Sequence, residues 1–483
     1  ETNILACLTA KRMGVRKNKP YYFIAVGGIG MSGLAKYLLE AGEIVSGSDI
    51  APSKYTKEIE EKGAKVFIGH DENNLPDDCI VVVSSAIKED NPELKKAKKL
   101  GLKIYHRSDL LAEISKKIEG KKCFIGYSGT HGKTTTSGMA AYVLSKGNLS
   151  PDFVVGGIVP ELHTNASSGS GRYFVAELDE SDGTILKYSP DICVVNNLEK
   201  DHTDFYKDGI NSLLKTFETY LNNLRSDAKI LINNDNLGNV ELMKMCKGKN
   251  FITYGLNDAD YVAKNIQYGK TTSFDIYKNN EFLCKLELCI SVEHNVYNAL
   301  AVLASINEAG EDINLVIPHF KTFIGMGRRM QKVAQIKDIE IYDDYAHHPT
   351  EIKASLSTLK LMGYKKIVAV FQPHRYSRLK SLWNDFLNAF DNADEVYVTD
   401  IYAASEKNTE GINSQMFVDE LEKKKKCKYL SGSIKDVAIK LLPELTSGDV
   451  VVGLGAGTIT SLGKELEEEV KVKWELKLEE IIR

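Results

Sequence analysis

The chain has 483 residues, enough for about three domains at roughly 150 residues each. Its 62 Lys and Arg against 66 Asp and Glu leave a net charge of −4, which excludes a nucleic-acid binder held by bulk positive charge. With 43% hydrophobic and 27% charged residues it has the composition of packed globular domains, not of a disordered tail.

No apolar run reaches the ~18 residues of a membrane-spanning helix. No basic-then-apolar leader precedes the first strand, so a cytoplasmic protein without a signal peptide is expected. The eight cysteines (Cys7, Cys79, Cys123, Cys193, Cys246, Cys284, Cys289 and Cys427) form no CxxC pair. That spacing fits buried reduced thiols better than a structural zinc site.

Short β-rich runs alternate with helical stretches, the pattern of α/β domains with parallel sheets. Tyr22 to Val26 is predicted as a strand, followed by a glycine-rich turn and a helix over Ser32 to Glu40. Strands follow over Glu43–Ser46, Lys65–Ile68, Ile80–Val83 and Ile104–Ser108, with a helix over Asp109–Glu119. A second unit opens with a strand over Lys122–Gly126. It continues through Tyr173–Ala176, Ile192–Asn196, Lys229–Ile232 and Phe251–Tyr254. Tyr261–Leu288 alternates like hairpins, and Asn295–Glu308 is predicted as a helix. A third unit, from near Arg329, has parallel strands over Glu340–Asp343, Lys366–Phe371, Glu395–Thr399 and Asp449–Gly453. The basic run Lys423–Lys426 reads as a solvated helix end.

Seven segments carry chemistry. Gly28, Gly30 and Gly33, with Met31 and Ser32 between them, lie between a strand and a helix, and Asp49 ends the next strand. Such glycines let a diphosphate approach the backbone at a helix N-terminus. The glycines alone do not separate NAD from another diphosphate nucleotide.

The second segment, Gly129-Thr130-His131-Gly132-Lys133-Thr134-Thr135-Thr136, is a variant phosphate loop, with Tyr127 where the strict form has glycine. Its backbone N–H groups form an anion nest, Lys133 reaches β/γ phosphates, and the Thr134 hydroxyl suits Mg2+. The third, Glu177 to Asp182, packs four carboxylates into six residues and reads either as a solvated acidic turn or as the cation side of that loop through Glu177. The fourth, Asn196 to His202, ends a strand; His202 reads as a metal ligand, a substrate contact or a satisfied polar group.

Asn295 and Asn298 share a helix face and suit an adenine edge. Arg328 and Arg329 lie between units two and three, where a guanidinium can stabilise phosphoryl charge or simply form a surface ion pair. The last two segments, Asp343 to Thr350 and Gln372 to Arg378, fall at strand ends and gather Asp344, Tyr345, His347, Arg375 and Arg378 on a rim suited to a small anion such as an amino-acid carboxylate. Gly455-Ala456-Gly457 belongs to the same rim or is a packing turn.

In this order the seven segments resemble the Mur ligase family, over nearly the whole chain from about Tyr21 to Thr460. The Gly129–Thr136 loop is shared across that family. The openings Gly27–Gly33, Asp343–Thr350 and Phe371–Tyr376 are similar to its alanine-adding branch, with minor departures at Met326 and Thr458. A branch that recycles murein peptides shares the later motifs but differs in the first glycine loop.

The resemblance implies an α/β fold of three domains. These are a Rossmann-like UDP-sugar-binding domain over 1–107, a P-loop ATPase domain over 108–328, and a Rossmann-like amino-acid-binding domain over 329–483. It implies ATP and Mg2+ as cofactors, UDP-N-acetylmuramate and L-alanine as substrates, and a monomer or homodimer that meets neither nucleic acid nor membrane. The diphosphate on Gly28, Gly30, Met31 and Ser32 is then UDP, with Asp49 near the uridine and His70, Ser84 and Arg107 as further contacts. Gly129, Thr130, Gly132, Lys133, Thr134 and Thr135 cradle ATP phosphates, joined by Arg328 or Arg329. Asn295 and Asn298 hold adenine and Asp344 the ribose. Thr134, Glu177 and His202 are the implied metal ligands, and Tyr345, His347, Arg375 and Arg378 the implied alanine site. Lys133, His202, His347 and Arg375 are the implied catalytic set.

Overall fold

The computed structural model describes residues 19–181, 183–200, 205–269, 271–289, 293–327, 329–404, 406–409 and 411–482, with side chains to residue 472. The chain divides into two compact units. One comprises 19–122, 151–156 and 164–174; the other comprises 123–150, 157–163 and the chain from 175 onward.

In the first unit, β1 (Tyr21–Ile24), β2 (Val45–Asp49), β3 (Lys65–Ile68), β4 (Ile80–Val83) and β5 (Lys103–His106) form a parallel sheet in the order β3-β2-β1-β4-β5. The order reverses beside β1, and the glycine turn after β1 sits at that switch point, where open α/β sheets bind ligands. A helix over Ile29–Glu40 leaves the turn with Gly28 as its N-cap.

The next strands in chain order are β6 (Cys123–Ser128), β7 (Asp152–Val159), β8 (Thr164–Ser167), β9 (Tyr173–Glu177), β10 (Ile192–Val195), β11 (Lys229–Asn233), β12 (Phe251–Gly255), β13 (Tyr261–Gln267), β14 (Thr272–Lys278) and β15 (Glu281–Leu288). In the second unit they run β15-β14-β13-β12-β11-β10-β6-β9. From β6 to β13 the pairs formed with β10, β11 and β12 are parallel, and β13–β15 form the antiparallel meander expected from the alternation over Tyr261–Leu288. The run Ile192-Cys193-Val194-Val195 is buried throughout, as a strand covered on both faces must be. The helix Lys133–Lys146 packs residues Thr136 to Leu144 away from water. Its buried stretch from Met139 to Leu144 is accordingly apolar with no polar stripe.

The last sheet comprises β16 (Gln331–Ile336), β17 (Ile339–Asp344), β18 (Ile367–Phe371), β19 (Glu395–Thr399), β20 (Cys427–Leu430) and β21 (Val450–Leu454), in the order β16-β17-β21-β18-β19-β20. All its pairs are parallel except β16 with β17. One face packs on Ile352, Leu356, Phe386 and Phe417, the other on Val437, Leu441, Ile459 and Leu466.

Strands β7, β8, β16 and β20 were not among those expected. β7 holds two adjacent glycines, β8 reads Thr-Asn-Ala-Ser, and β16 is a largely exposed edge, so none shows a strong apolar alternation. The Lys423–Lys426 run follows a helix over Ser414–Leu421, and Lys426 pairs with Glu395 at 2.6 Å. The seven described cysteines are free thiols; Cys7 lies outside the described residues. Among the described residues no helix is long and apolar enough to cross a membrane.

Candidate active site

The phosphate loop is shaped by glycines at two points. Gly129 has φ 121°, and a Cβ there would stand 2.8 Å from the Asn197 carbonyl oxygen. Gly132, at φ 80°, is the N-cap of the helix Lys133–Lys146. Between them the loop is bound to the segment after β10. Thr130 N–H donates to the Asn197 carbonyl at 2.8 Å, His131 N–H to Asn197 Oδ1 at 2.7 Å, and Glu199 N–H to Thr130 Oγ1 at 3.0 Å.

Lys133 folds back over the loop. Its Nζ donates to the carbonyls of Gly129 at 2.7 Å and Thr130 at 3.1 Å, and to the fully buried Glu180 carboxylate at 3.0 Å. Burial works against the ammonium, but the carboxylates of Glu180, Asp179 and Glu177 outweigh it and hold Lys133 above its ordinary pKa. The Thr134 hydroxyl donates to Glu177 Oε1 at 3.1 Å, joining the loop to the end of β9. This hydroxyl and carboxylate are hard oxygen donors of the kind Mg2+ takes.

A cleft of 390 Å³ opens beside the loop, lined by His131, Asn295, Asn298, Arg329, Asp344 and Glu351 among others. Asn295 and Asn298 lie on one face of the helix Glu293–Glu308, as their spacing predicts, with Asn298 Nδ2 donating to Asn295 Oδ1 at 3.1 Å. Asn298 Oδ1 accepts from Thr136 Oγ1 at 3.0 Å, which ties the asparagine pair to the loop helix. Asp344, at the end of β17, accepts from Ser355 Oγ at 2.9 Å, Met330 N–H at 3.1 Å and Ala346 N–H at 2.9 Å. Burial pushes its carboxyl up to about 6 against the opposing pull of Arg329.

His131 lies between two carboxylates, with Nε2 3.5 Å from Glu199 Oε2 and Nδ1 3.3 Å from Glu351 Oε1. Burial alone would lower its pKa, but Glu199 and Glu351 push it up to about 9, so the ring is an imidazolium at neutral pH. Ligand atoms of His131, Glu199 and His348 all fall within 4.8 Å of one another, close enough for a cation. The hydrogen bonds favour a different use. His348 Nδ1 accepts Thr350 N–H at 3.3 Å, so its Nε2 carries the proton toward the Lys200 carbonyl at 3.2 Å and no imidazole lone pair is left.

Of the expected amino-acid residues, Tyr345 and His347 lie in a run of ring contacts. Arg329 stands 5.2 Å over Tyr345, Tyr345 meets His347 at 5.2 Å, and His347 meets His374 at 5.8 Å. Arg378 Nη1 lies 3.1 Å from His374 Nδ1. Arg375 has φ 70°, a left-handed conformation uncommon outside glycine. Its N–H donates to the Tyr402 carbonyl at 2.8 Å.

In the first unit, Asp49 Oδ2 accepts Gly27 N–H at 2.7 Å and fixes the glycine turn. Asn165 Nδ2 donates to the Ile29 carbonyl at 2.8 Å, close enough that a Cβ on Gly33 would meet it at 2.6 Å. Met31 and Ser32 are buried in the first turn of the helix, and Ser84 is half-buried beyond β4. Arg107 Nη1 lies 3.3 Å from where a Gly30 Cβ would stand. His70 Nδ1 is 3.0 Å from the fully buried Glu93, whose carboxylate also accepts from Tyr22 Oη at 2.8 Å, Ser48 Oγ at 2.6 Å and Asn74 Nδ2 at 3.4 Å.

Two expected residues, His202 and Arg328, lie outside the described residues. Glu180, Glu199 and Glu351 carry no role in the sequence reading, yet each pairs with a loop cation. Only Glu351 left a signal, standing four residues after His347 in the first turn of a helix.

Profiles of three domains match in succession: "Mur ligase family, catalytic domain" over 20–118, "Mur ligase middle domain" over 128–306, and "Mur ligase, glutamate ligase domain" over 328–457. The chain belongs to the Mur ligase family. This Mur ligase is 41% identical to a UDP-N-acetylmuramate–L-alanine ligase of Clostridium novyi, over 92% of its own length and 97% of the relative's. It is 40% identical to the enzyme of the same name from Aquifex aeolicus, over 94% and 98%. The crystal structure of UDP-N-acetylmuramate-alanine ligase MurC from Thermotoga maritima superposes with a TM-score of 0.79 at 28% identity, covering 94% of this Mur ligase and all of that chain. A murein peptide ligase from Psychrobacter arcticus shares the fold at a TM-score of 0.69 and 22% identity, covering 93% and 98%. The α/β architecture with three sheets is thus that of a three-domain Mur ligase.

Proposed function

We propose that this Mur ligase joins L-alanine to the lactyl carboxylate of UDP-N-acetylmuramate, using ATP, in the synthesis of peptidoglycan precursors in the cytoplasm. The observation that carries this reading is one cleft in which the phosphate loop, through His131, meets the helix that follows the Tyr345–His347 turn, through Glu351. The names of relatives about 40% identical over more than nine-tenths of the chain support the same substrates. The division into a UDP-sugar domain over 1–107, an ATPase domain over 108–328 and an amino-acid domain over 329–483 goes with it.

A carboxylate is a poor electrophile because its oxide is a poor leaving group. Transfer of the γ-phosphoryl of ATP to the lactyl carboxylate breaks its bond to the β-phosphate oxygen and gives an acyl phosphate and ADP. The neutral amine of L-alanine then attacks the acyl carbon, a tetrahedral intermediate forms, and inorganic phosphate leaves with the former carboxylate oxygen.

Lys133, held charged by its carboxylates, neutralises phosphoryl charge as it develops. Gly129, Thr130, Gly132 and Thr135 hold the phosphates with Arg328 or Arg329, Asn295 and Asn298 take adenine, and Asp344 the ribose. Thr134 and Glu177 would hold Mg2+, with His202 as the third ligand expected from the sequence; the ion supplies Lewis-acid stabilisation of the phosphates. His347, Tyr345, Arg375 and Arg378 position alanine and its carboxylate. Gly28, Gly30, Met31, Ser32, Asp49, His70, Ser84 and Arg107 take the UDP-sugar.

The test is phosphate release with ATP, Mg2+ and UDP-N-acetylmuramate, with amino acids added singly. Release should be strongest with L-alanine and fall at least ~100-fold in Lys133→Ala. Release with a murein peptide but with no single amino acid would move the chain to the recycling branch. No substrate-dependent release from folded protein would overturn the reading.

A further inference from the structure

Glu351 stands where three functional segments meet. It lies in the first turn of the helix Pro349–Leu361, and its side chain is 12% exposed. Its Oε1 is 3.3 Å from His131 Nδ1 on the phosphate loop and 3.5 Å from Arg329 Nη1. Its Oε2 accepts the His347 N–H at 3.0 Å and lies 3.4 Å from His347 Nδ1. One carboxylate therefore grips the nucleotide loop with one oxygen and the Tyr345–His347 turn with the other.

The far side of the bridge is braced as well. Glu199, 3.5 Å from His131 Nε2, accepts the Thr350 hydroxyl at 2.8 Å. A nearly buried carboxylate is costly unless its charge is met. Here His131 and Arg329 meet it on one oxygen and the His347 turn on the other. Movement of the loop away from Oε1 leaves Glu351 short of cations and loosens its hold on His347. The same exchange runs in reverse when the His347 turn moves.

We propose that Glu351 is a positioning residue that couples nucleotide binding at the phosphate loop to amino-acid binding at the Tyr345–His347 turn. The inference rests on the proposed ligase reading. Coupling of this kind is reciprocal between the two ligands. A carboxylate serving only to stabilise its helix N-terminus would leave the two binding events independent.

The test measures L-alanine binding calorimetrically in the presence of UDP-N-acetylmuramate and Mg2+, with and without a non-hydrolysable ATP analogue. In the wild type the analogue should tighten alanine binding about fivefold or more. In Glu351→Gln, at an analogue concentration that saturates the variant, the two alanine affinities should converge. Should Glu351→Gln fail to fold, His131→Gln removes the same bridge from the loop side and should show the same convergence. A wild type without enhancement, or a variant that keeps it, overturns the coupling. A wild type that releases no phosphate with ATP, UDP-N-acetylmuramate and L-alanine instead overturns the ligase reading, so the two failures are distinguishable.

Discussion

The Thr134 hydroxyl donates to Glu177 Oε1 at 3.1 Å, so the first turn of the loop helix and the end of β9 present two hard oxygen donors to one point. If that point holds Mg2+, Thr134→Val and Glu177→Gln should each raise the Mg2+ concentration for half-maximal phosphate release by at least about tenfold. A Mg2+ titration with the wild-type midpoint in both variants would remove these residues from the metal site.

Gly129→Ala tests the loop geometry. Alanine at φ 121° is strained, and its Cβ would press on the backbone of Asn197. A stability loss of ~1–3 kcal/mol is expected, with phosphate release down at least ~100-fold because the anion nest cannot close. Near-wild-type turnover would mean that the loop is remodelled when nucleotide binds.

His131 makes the loop sensitive to alkaline pH. Glu199 and Glu351 hold its pKa at about 9, above the ~6.5 of an unfolded histidine. The bridge therefore stabilises the fold fully below about pH 6.5, and the gain is lost as pH rises through about 9. The difference in melting temperature between wild type and His131→Asn should shrink across that window. A difference unchanged at pH 10 would show that the bridge does not depend on the imidazolium.

The first glycine turn distinguishes a UDP-sugar from a dinucleotide. UDP-N-acetylmuramate at about 100 times its Kd should stabilise the protein by ~2.7 kcal/mol in thermal unfolding, and NAD should give no shift. Stabilisation by NAD alone would reverse the assignment of Gly28 and Gly30.

The strongly patterned parts of the fold were legible in the sequence. Runs such as Ile192–Val195 and Ile367–Phe371 are apolar because both faces of a parallel strand are covered. Gly129, Gly132 and Lys133 were legible because a phosphate loop needs those residue types at that spacing. The carboxylates Glu180 and Glu199 were not, because their partners lie 47 and 68 residues away in the chain, and Glu351 showed only its place four residues after His347, its loop partner His131 being 220 residues away. Charge pairing across such distances leaves no local pattern. The edge strand β16 escaped for the opposite reason: mostly exposed, it has little need of apolar residues.

The Glu93 carboxylate gathers hydrogen bonds from Tyr22, Ser48 and Asn74 and lies against His70, groups carried by separate segments of the first unit. Replacing any one donor leaves a buried charge short of a partner, and replacing Glu93 strands several donors at once. Substitutions at these five positions are therefore strongly non-additive. A natural replacement at any one of these five positions is therefore expected to be tolerated only alongside a second change within the same set.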